Sequence, residues 1–514
     1  PEALVCIPCG YSNDYIDTPT TTSDHPEPID KPDYGSAPKL IDNPSEVEES
    51  RAVKTHWKDI YLVSIFYFFA YLTYQALTIP LFNYLKELDA EAAIGFFGII
   101  LSAFKVGHLI SLALFAMSTF MSRRYRTNLV IGRIIAIAGC AIYLTVEFFS
   151  VPIRKYVVLL VFIMHASAEG SIIIVRSYVP RISTPADRSA AYGLKNGAVL
   201  LSIVAAPLLQ LVFASIPFPR GGLMIIDPWL RLTPFTCVIW LLLFCNIVAL
   251  CMAAFQIREP FEMEEEEMDR PVALAPALGK AWNHLKTLDV SLIIMCMVEK
   301  SVSGGGFAAL FTVLNPYVTT TFNYSNIDSL YIIAVASVFV GVCSIAVVAL
   351  FVFAKLGTKI PASRTFPLSL ILCLVMFLLS YPIPGISERV PVYHNETMQF
   401  GCKVETYAWC KDLFMNPKFV WLAMATILTG TAMPFSLISQ DTIYSRVLEG
   451  LDQNIMQAVY VMTEDIALAV VPTVATFCFT YWSPTGFWTG CAVAMVVGLA
   501  LWIPVYRKLR VRGI

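Results

Sequence analysis

VIWLLLFCNIVALCMAAF, residues 238–255, is an apolar run that contains one asparagine and no charge. A bilayer core of about 30 Å is crossed by about 20 apolar residues in a helix, so this stretch predicts a membrane-spanning helix. Similar runs recur along the 514-residue chain, which is 57% hydrophobic and 14% charged. We therefore predict an all-α membrane protein with twelve transmembrane helices. The predicted helices 1 to 12 cover residues 58–81, 93–121, 128–150, 156–179, 191–216, 232–256, 289–314, 329–354, 365–384, 418–440, 454–480 and 485–506.

A polar, glutamate-rich stretch between predicted helices 6 and 7 divides the chain into two groups of six helices. Arg181, Asp187 and Pro207 recur as Arg446, Asp452 and Pro472, each 265 residues later, as an internal duplication requires. These observations predict two six-helix bundles joined by a solvated linker. The predicted segments are a disordered cytosolic tail at 1–57, the first bundle at 58–256, the linker at 257–288, the second bundle at 289–506 and a cytosolic tail at 507–514.

The basic residues of the short loops predict the orientation of the chain. Arginines and lysines follow helices 2, 4, 8 and 12, and such residues stay in the cytosol, so both termini are expected there. The sequons at Asn323 and Asn395 then fall on the opposite side, where N-glycosylation takes place. Cys402 and Cys410 share the loop of Asn395 on that oxidising side, and we expect them to form a disulfide.

Several function classes lack their signatures in this sequence. The chain has no phosphate loop, zinc-ligand spacing, nucleophile elbow or basic cluster with interleaved aromatics. We therefore predict that it is not an enzyme, that it uses no cofactor or metal, and that it binds no nucleic acid. Its expected partners are the lipid bilayer, a small-molecule or ion substrate, and protons.

Predicted helix 4 carries three ionisable residues, His165, Glu169 and Arg176, within an otherwise apolar run. At about 100° per residue all three lie on one narrow face. A charge at mid-membrane costs about 2.5–3.5 kcal/mol, so this face is expected to border an aqueous cavity. His165 and Glu169 are four residues apart and can hydrogen-bond, whereas Arg176 is too far along the axis to reach Glu169. The alternative is that His165 packs among its neighbours and that Arg176 extends to the cytosolic surface.

Other helices add ionisable side chains to the expected substrate or proton pathway. In helix 7, three consecutive glycines follow the charged pair and are expected to permit a break in the helix. Lys195 is expected to extend from the start of helix 5 to the cytosolic surface. The further pathway candidates are Lys105 and His108 in helix 2, Glu299 and Lys300 in helix 7, and Glu464 and Asp465 in helix 11.

Three sequence stretches resemble a known family. Twelve helices in two halves resemble the major facilitator superfamily, and MSTFMSRRYRTNLVIG at 117–132 keeps the basic cluster of that family's loop motif without its glycine and aspartate. VRSYVPRISTPADRSAAYG at 175–193 and IREPFEMEEEE at 257–267 are similar to the lysosomal branch associated with neuronal ceroid lipofuscinosis. The resemblance implies an endolysosomal membrane protein, for which anion (chloride) conduction is one proposed activity.

The resemblance also implies which helices line a central cavity, namely helices 1, 4, 7 and 10. Helix 1 presents Tyr67, Tyr71 and Gln75 at helical spacing, although a tyrosine stripe also fits ordinary helix packing. Helix 10 presents Thr431 and Ser436 around a proline that is expected to break it. These five side chains are the predicted cavity lining.

The predicted function is alternating-access transport of a small, anionic solute across the endolysosomal membrane, coupled to protons. Arg176, Lys300 or Lys105 would hold the anion, and Glu169 with Glu464 or Asp465 would exchange the proton. One alternative is an anion (chloride) channel on the same scaffold. Another is a receptor or scaffold that transports nothing.

Overall fold

The computed structural model contains twelve helices that are long and apolar enough to cross a membrane. It describes residues 54–78, 81–88, 93–214, 216, 223–226, 230–259, 289–324, 326–392, 402, 404, 407–448 and 453–511. The spans are α1 (Trp57–Thr78), α2 (Ala93–Ser122), α3 (Tyr125–Leu144), α4 (Val151–Ile182), α5 (Arg188–Ala214), α6 (Pro234–Phe255), α7 (Val290–Thr321), α8 (Asn326–Val352), α9 (Ala362–Leu379), α10 (Lys418–Val447), α11 (Gln453–Trp482) and α12 (Pro484–Val511).

The prediction of twelve spans in two six-helix bundles is confirmed, but three details of the helices differ from expectation. Helix α4 is interrupted by a turn, with one helix ending at Gly170 and the next beginning at Ile173. Helix α7 is continuous through Gly304–Gly306, and α10 is continuous through Pro434. The two breaks expected in α7 and α10 were therefore wrong, because packing against neighbouring helices outweighs the weak local propensity of glycine and proline.

Short elements connect the spans. A helix at Leu81–Leu88 follows α1, and another at Leu356–Lys359 follows α8. Two antiparallel strand pairs lie outside the spans. Their strands are β1 (Leu223–Ile226) with β2 (Leu230–Leu232), and β3 (Glu388–Arg389) with β4 (Phe414–Met415).

The two halves pack against each other along α5 and α8. A Cβ on Gly197 would lie 2.8 Å from Cγ1 of Val348, and one on Gly193 would lie 3.2 Å from Cβ of Phe351. The absence of side chains at these two positions allows the helices to approach closely. One hydrophobic cluster accordingly contains buried residues from both halves, whereas another belongs to the second half alone.

The internal repeat appears in the helix boundaries. Helix α4 ends at Ile182 and α5 begins at Arg188, while α10 ends at Val447 and α11 begins at Gln453. The second pair of boundaries follows the first by the same interval that separates the repeated residues in the sequence. Corresponding positions of α4 and α10 therefore lie at the same distance from their helix ends.

The end of the bundle at which α1 begins and α12 ends is called the terminal face below. Near this face Arg446 of α10 donates a hydrogen bond from Nη2 to the carbonyl of Pro185, at 2.7 Å. Pro185 lies in the connection between α4 and α5, so the two halves contact each other at the terminal face. The predicted segments 1–57 and 257–288 lie largely outside the described residues, and the predicted domain bounds stay predictions.

Candidate substrate and proton site

A buried carboxylate from the second half binds three donors from the first half. Asp441 of α10 accepts from Arg176 Nη1 at 2.9 Å through Oδ1, and from Lys195 Nζ at 2.7 Å and Asn196 Nδ2 at 3.1 Å through Oδ2. The side chains of Asp441 and Lys195 are both 0% exposed. This group, the Asp441 cluster, carries two cations and one anion and joins α4, α5 and α10.

The position of the Asp441 cluster corrects the expectation for Lys195. Lys195 lies seven residues inside α5, about 10 Å from its first residue, and its ammonium is directed inward to Asp441. A surface role was therefore wrong for this residue. Its inward direction follows from the carboxylate of Asp441, which compensates the cost of burying an ammonium ion.

A second bridge between the halves lies deeper in the membrane, on α11. Lys105 Nζ is 3.4 Å from Oδ1 of Asp465, and His108 Nδ1 is 2.9 Å from Oδ2. The side chains of Lys105, His108 and Asp465 are 29%, 12% and 7% exposed. This Asp465 cluster is thus more open than the Asp441 cluster, and it contains an imidazole.

A third ion pair forms within the second half. Lys300 of α7 lies with Nζ 3.1 Å from Oε1 of Glu464 on α11, and its ammonium is 5.7 Å from the ring centre of Tyr460. A Cβ on Gly304 would lie 3.0 Å from Oε1 of Glu464. The glycine therefore provides room for this carboxylate beside α7.

The ionisable side chains of α4 do not all point towards one common site in the structure. Glu169 is buried, and His108 and Lys105 of α2 are among the ionisable side chains near it. His165 faces elsewhere, because its Nδ1 lies 2.9 Å from the carbonyl of Val161 and its Nε2 lies 3.5 Å from Sγ of Cys140 on α3.

The contacts of His165 replace the hydrogen bond to Glu169 that the spacing of the two residues allows. A Cβ on Gly139 of α3 would lie 2.5 Å from Cε1 of His165, so the imidazole fills a groove between α3 and α4. The turn after Gly170 also changes the helical phase between Glu169 and Arg176. Angular spacing along an ideal helix consequently fails to describe this span.

Glu299 takes part in none of the three ion-pair groups described above. Its side chain is 1% exposed, and neither carboxylate oxygen has a hydrogen-bond partner among the described residues. Lys300, the next residue, extends to Glu464 instead. The two neighbours thus point in different directions, as expected for adjacent positions of a helix.

The predicted cavity-lining residues differ in exposure. Tyr67 is buried, donates to the Tyr71 hydroxyl at 3.4 Å, and stacks at an angle with a centroid distance of 4.8 Å. The Lys195 ammonium lies 5.3 Å from the ring centre of Tyr67, which connects this tyrosine to the Asp441 cluster. Gln75 and Thr431 are half-buried and Ser436 is buried.

The predicted modification sites lie outside the spans. Asn323 follows α7 and is half-buried, whereas Asn395 lies outside the described residues. Cys402 and Cys410 are bonded to each other, with their Cα atoms 5.8 Å apart. The bond closes a short loop between α9 and α10.

Two buried charges that contribute to the site were missed by the sequence reasoning. Asp441 was missed because helix 10 was predicted to end at residue 440, where the apolar run stops. Arg133 of α3 donates to Asn246 Oδ1 at 3.0 Å and to the Ala168 carbonyl at 3.1 Å, and it is 1% exposed. The rule applied to helix 4, that an ionisable residue within a span faces the interior, would have found Arg133 in predicted helix 3, but not Asp441, which follows the predicted end of helix 10.

Comparison with known proteins agrees with this architecture. A model of the Major Facilitator Superfamily matches residues 63–393. Major facilitator superfamily domain-containing protein 8 of Xenopus laevis is 25% identical over 186 residues, which span 35% of this chain and 36% of the relative. The match thus spans about a third of that curated relative.

Two solved transporters share the fold at low sequence identity. The human organic anion transporter MFSD10 (TETRAN) superimposes with a TM-score of 0.57 at 13% identity, over 87% of this chain and 99% of that chain. The E. coli fucose:proton symporter FucP superimposes with a TM-score of 0.60 at 12% identity, over 88% of this chain and 98% of that chain.

Proposed function

Because this chain belongs to the Major Facilitator Superfamily, we propose that it is an alternating-access transporter of a small anionic solute, coupled to protons. The proposal includes residence in the endolysosomal membrane with both termini in the cytosol. It rests on the arrangement of buried charges between the two halves, together with the resemblance of the 175–193 stretch to the lysosomal branch.

The observation that carries the proposal is that carboxylates of the second half bind cations of the first half inside the membrane. Asp441 holds Arg176 and Lys195, and Asp465 lies between Lys105 and His108. Alternating access requires the halves to separate on one side, and each separation would leave buried cations without a counter-charge. An anionic substrate replaces that counter-charge, so cations in this position favour an anion as cargo.

Proton exchange is assigned to the carboxylates nearest the more open Asp465 cluster. Glu169 has His108 and Lys105 among its ionisable neighbours, while Glu464 pairs with Lys300. Protonation of a carboxylate weakens its hold on a neighbouring cation, which then becomes available to the anion. This linkage gives a physical route by which a proton gradient drives uptake or release of the solute.

The likeness to MFSD10, described as an organic anion transporter, is consistent with anionic cargo but shows the shared fold alone. Glycosylation of Asn323 and Asn395 belongs to the same proposal, because it requires their loops to face the lumen. Absence of enzymatic activity also belongs to it.

The proposal is tested with Glu169→Gln in proteoliposomes loaded with candidate organic anions and exposed to an inward pH gradient. We expect pH-driven flux to be lost while the purified variant keeps the elution profile of the unmodified protein. Glu388→Gln, on exposed strand β3, is the matched control and is expected to transport normally. Unchanged pH dependence in Glu169→Gln would reject the proton role.

An anion channel on the same scaffold is the second candidate. The Asp441 cluster favours it in one respect, since two cations around a single carboxylate leave a net positive charge inside the membrane. Single-channel recording separates the two functions, because discrete anion currents exceed the turnover of any carrier.

A further inference from the structure

We propose that Glu299 forms a closed site for one small monovalent cation, a proton or a sodium ion, inside the second half of the molecule. This inference deepens the proposed function by placing an ion site away from the interface between the halves. The Glu299 pocket is the space lined by Cys296, Glu299, Gln440, Ile443, Tyr460 and Trp502.

The first observation is an isolated carboxylate. The side chain of Glu299 on α7 is buried against neighbouring helices. Neither Oε1 nor Oε2 accepts a hydrogen bond from the described part of the chain. A Cβ on Gly498 of α12 would lie 3.4 Å from Oε2. A buried carboxylate without donors or a counter-ion is very costly in a low-dielectric interior.

The second observation is that the neighbouring polar groups offer oxygen rather than positive charge. Gln440 uses its Nε2 to donate to the Glu299 carbonyl at 3.1 Å and to Ser303 Oγ at 2.9 Å. Its Oε1 is consequently left without a partner, and the hydroxyl of Tyr460 is unpartnered as well. Acceptors thus outnumber donors around this space.

Charged and titratable groups on the surrounding helices do not compensate Glu299. From α7, Cys296 borders the pocket and Lys300 is directed to Glu464; from α11, Tyr460 borders it. From α10 the nearest charge is Asp441, which is bound to its own cluster. Trp502 of α12 adds an apolar wall and directs its Nε1 to the carbonyl of Ser363 at 3.2 Å.

A small cation bound at Glu299 compensates the negative charge of the buried carboxylate. A proton on Glu299 turns the carboxylate into a carboxylic acid, which donates one hydrogen bond and accepts others. A sodium ion would instead be coordinated by the oxygens of Glu299, Gln440 and Tyr460. The enclosed space is about the size of a single water molecule, which excludes a larger occupant.

The pocket is adjacent to the Lys300–Glu464 ion pair along α7. When the cation leaves, a full negative charge remains beside Lys300 in a medium of low dielectric constant. The cation therefore changes the electrostatic environment of a residue that the proposed function assigns to the anion. Occupancy of the pocket is thereby coupled to the transport cycle through Lys300.

The first test measures the thermal unfolding of the purified full chain in detergent. Samples at about pH 5 and about pH 8 contain sodium chloride or choline chloride at equal ionic strength. If the occupant is a proton, the Tm is several degrees lower at the higher pH in both salts. If it is sodium, the Tm at the higher pH is restored by sodium and not by choline. A Tm that responds to neither pH nor sodium overturns the proposal.

The second test assigns the response to Glu299. Glu299→Gln is expected to remove most of the pH or sodium dependence of the Tm, and a variant with the full wild-type response overturns the proposal. Where this variant fails to fold, Gln440→Leu is used instead: it removes a ligand oxygen and should weaken a sodium response. For a proton it should move the fall of the Tm to higher pH, because the neutral acid is favoured in a less polar pocket. Glu388→Gln, on exposed strand β3, is the control and is expected to keep the full cation dependence of the Tm. The flux of Glu169→Gln tests the proposed function separately, so failure of that function and failure of this site are distinguishable.

Discussion

The Asp441 and Asp465 clusters have similar composition but differ in how far their side chains are exposed. In both, a carboxylate from the second half meets two basic side chains from the first half. Asp441 is fully enclosed and binds three nitrogen donors, whereas the Asp465 cluster includes a Lys105 that is 29% exposed and lies at a longer distance. Under the proposed function, we expect the Asp441 cluster to hold the halves together and the Asp465 cluster to admit water, protons and solute.

The largest effect on stability and flux is expected from Asp441→Asn. The substitution leaves the buried cations of Arg176 and Lys195 without their carboxylate, and breaking such a pair costs about 3–5 kcal/mol. We expect a marked fall in the Tm and yield of the purified protein, together with loss of flux. Thermal unfolding in detergent measures the first effect.

The triple variant Arg176→Met, Lys195→Met and Asp441→Leu separates charge imbalance from loss of the site. It is expected to recover much of the stability, since apolar side chains of similar size replace buried ion pairs at little cost. Flux should stay absent. If Asp441→Asn alone kept the stability of the wild-type protein, this result would contradict the role of Asp441 in holding the two halves together.

A smaller effect is expected from His108→Gln in the Asp465 cluster. The His108 Nδ1 lies 2.9 Å from Oδ2 of Asp465 in a pair that is partly open to water, and uptake is compared at about pH 5 and about pH 8. The variant should fold normally and lose most of the difference in initial flux between these two pH values. Proteoliposome uptake measures it.

His56→Gln is the matched control, because the side chain of His56 is 64% exposed at the terminal face. Its flux should follow the wild-type pH dependence. Equal flattening of the profile in both variants would show that His108 has no special role.

The smallest effect is expected at a partly exposed pair between the residue before α7 and the last turn of α12. Lys508 hydrogen-bonds to Asp289 and lowers the pKa of Asp289 to about 2, and the two side chains are 41% and 26% exposed. Because the folded pKa is depressed, this stabilisation is present above about pH 4 and is lost only as the pH falls towards about 2. Between about pH 5 and 8 the contribution is therefore constant.

Asp289→Asn should consequently lower stability by less than about 1 kcal/mol, the ordinary limit for an exposed ion pair. It should not change the pH dependence of flux. Thermal unfolding and uptake at the two pH values check both statements. A loss as large as that of Asp441→Asn would undermine the contrast between enclosed and exposed pairs.

Hydropathy alone predicted the twelve spans, because uninterrupted apolar length is a strong signal. It failed at the ends of helices where polar residues face the interior. Helix α10 continues to Val447 rather than 440, since Asp441, Thr442 and Ser445 are buried among helices and not in a loop. The same effect concealed the inward direction of Lys195.

The site was predicted in part. Arg176 was recognised as an interior charge, but its partner was not, because a pairing between distant helices cannot be read from spacing within one helix. The internal repeat held the missing signal: Asp441 follows Arg176 by 265 residues, the interval already seen in the three repeated pairs. Spacing within one helix also failed to predict the directions of the Glu299 and His165 side chains, because packing against neighbouring helices decides them.

The equivalence of Arg176 and Asp441 bears on how such a chain arose. If two identical ancestral subunits had paired through this position, arginine would have met arginine, or aspartate would have met aspartate, and like charges would have repelled each other. A complementary pair at a self-facing position requires that the two halves differ there, as Arg176 and Asp441 do. The Arg176–Asp441 bond therefore makes each half unsuited to pair with a copy of itself.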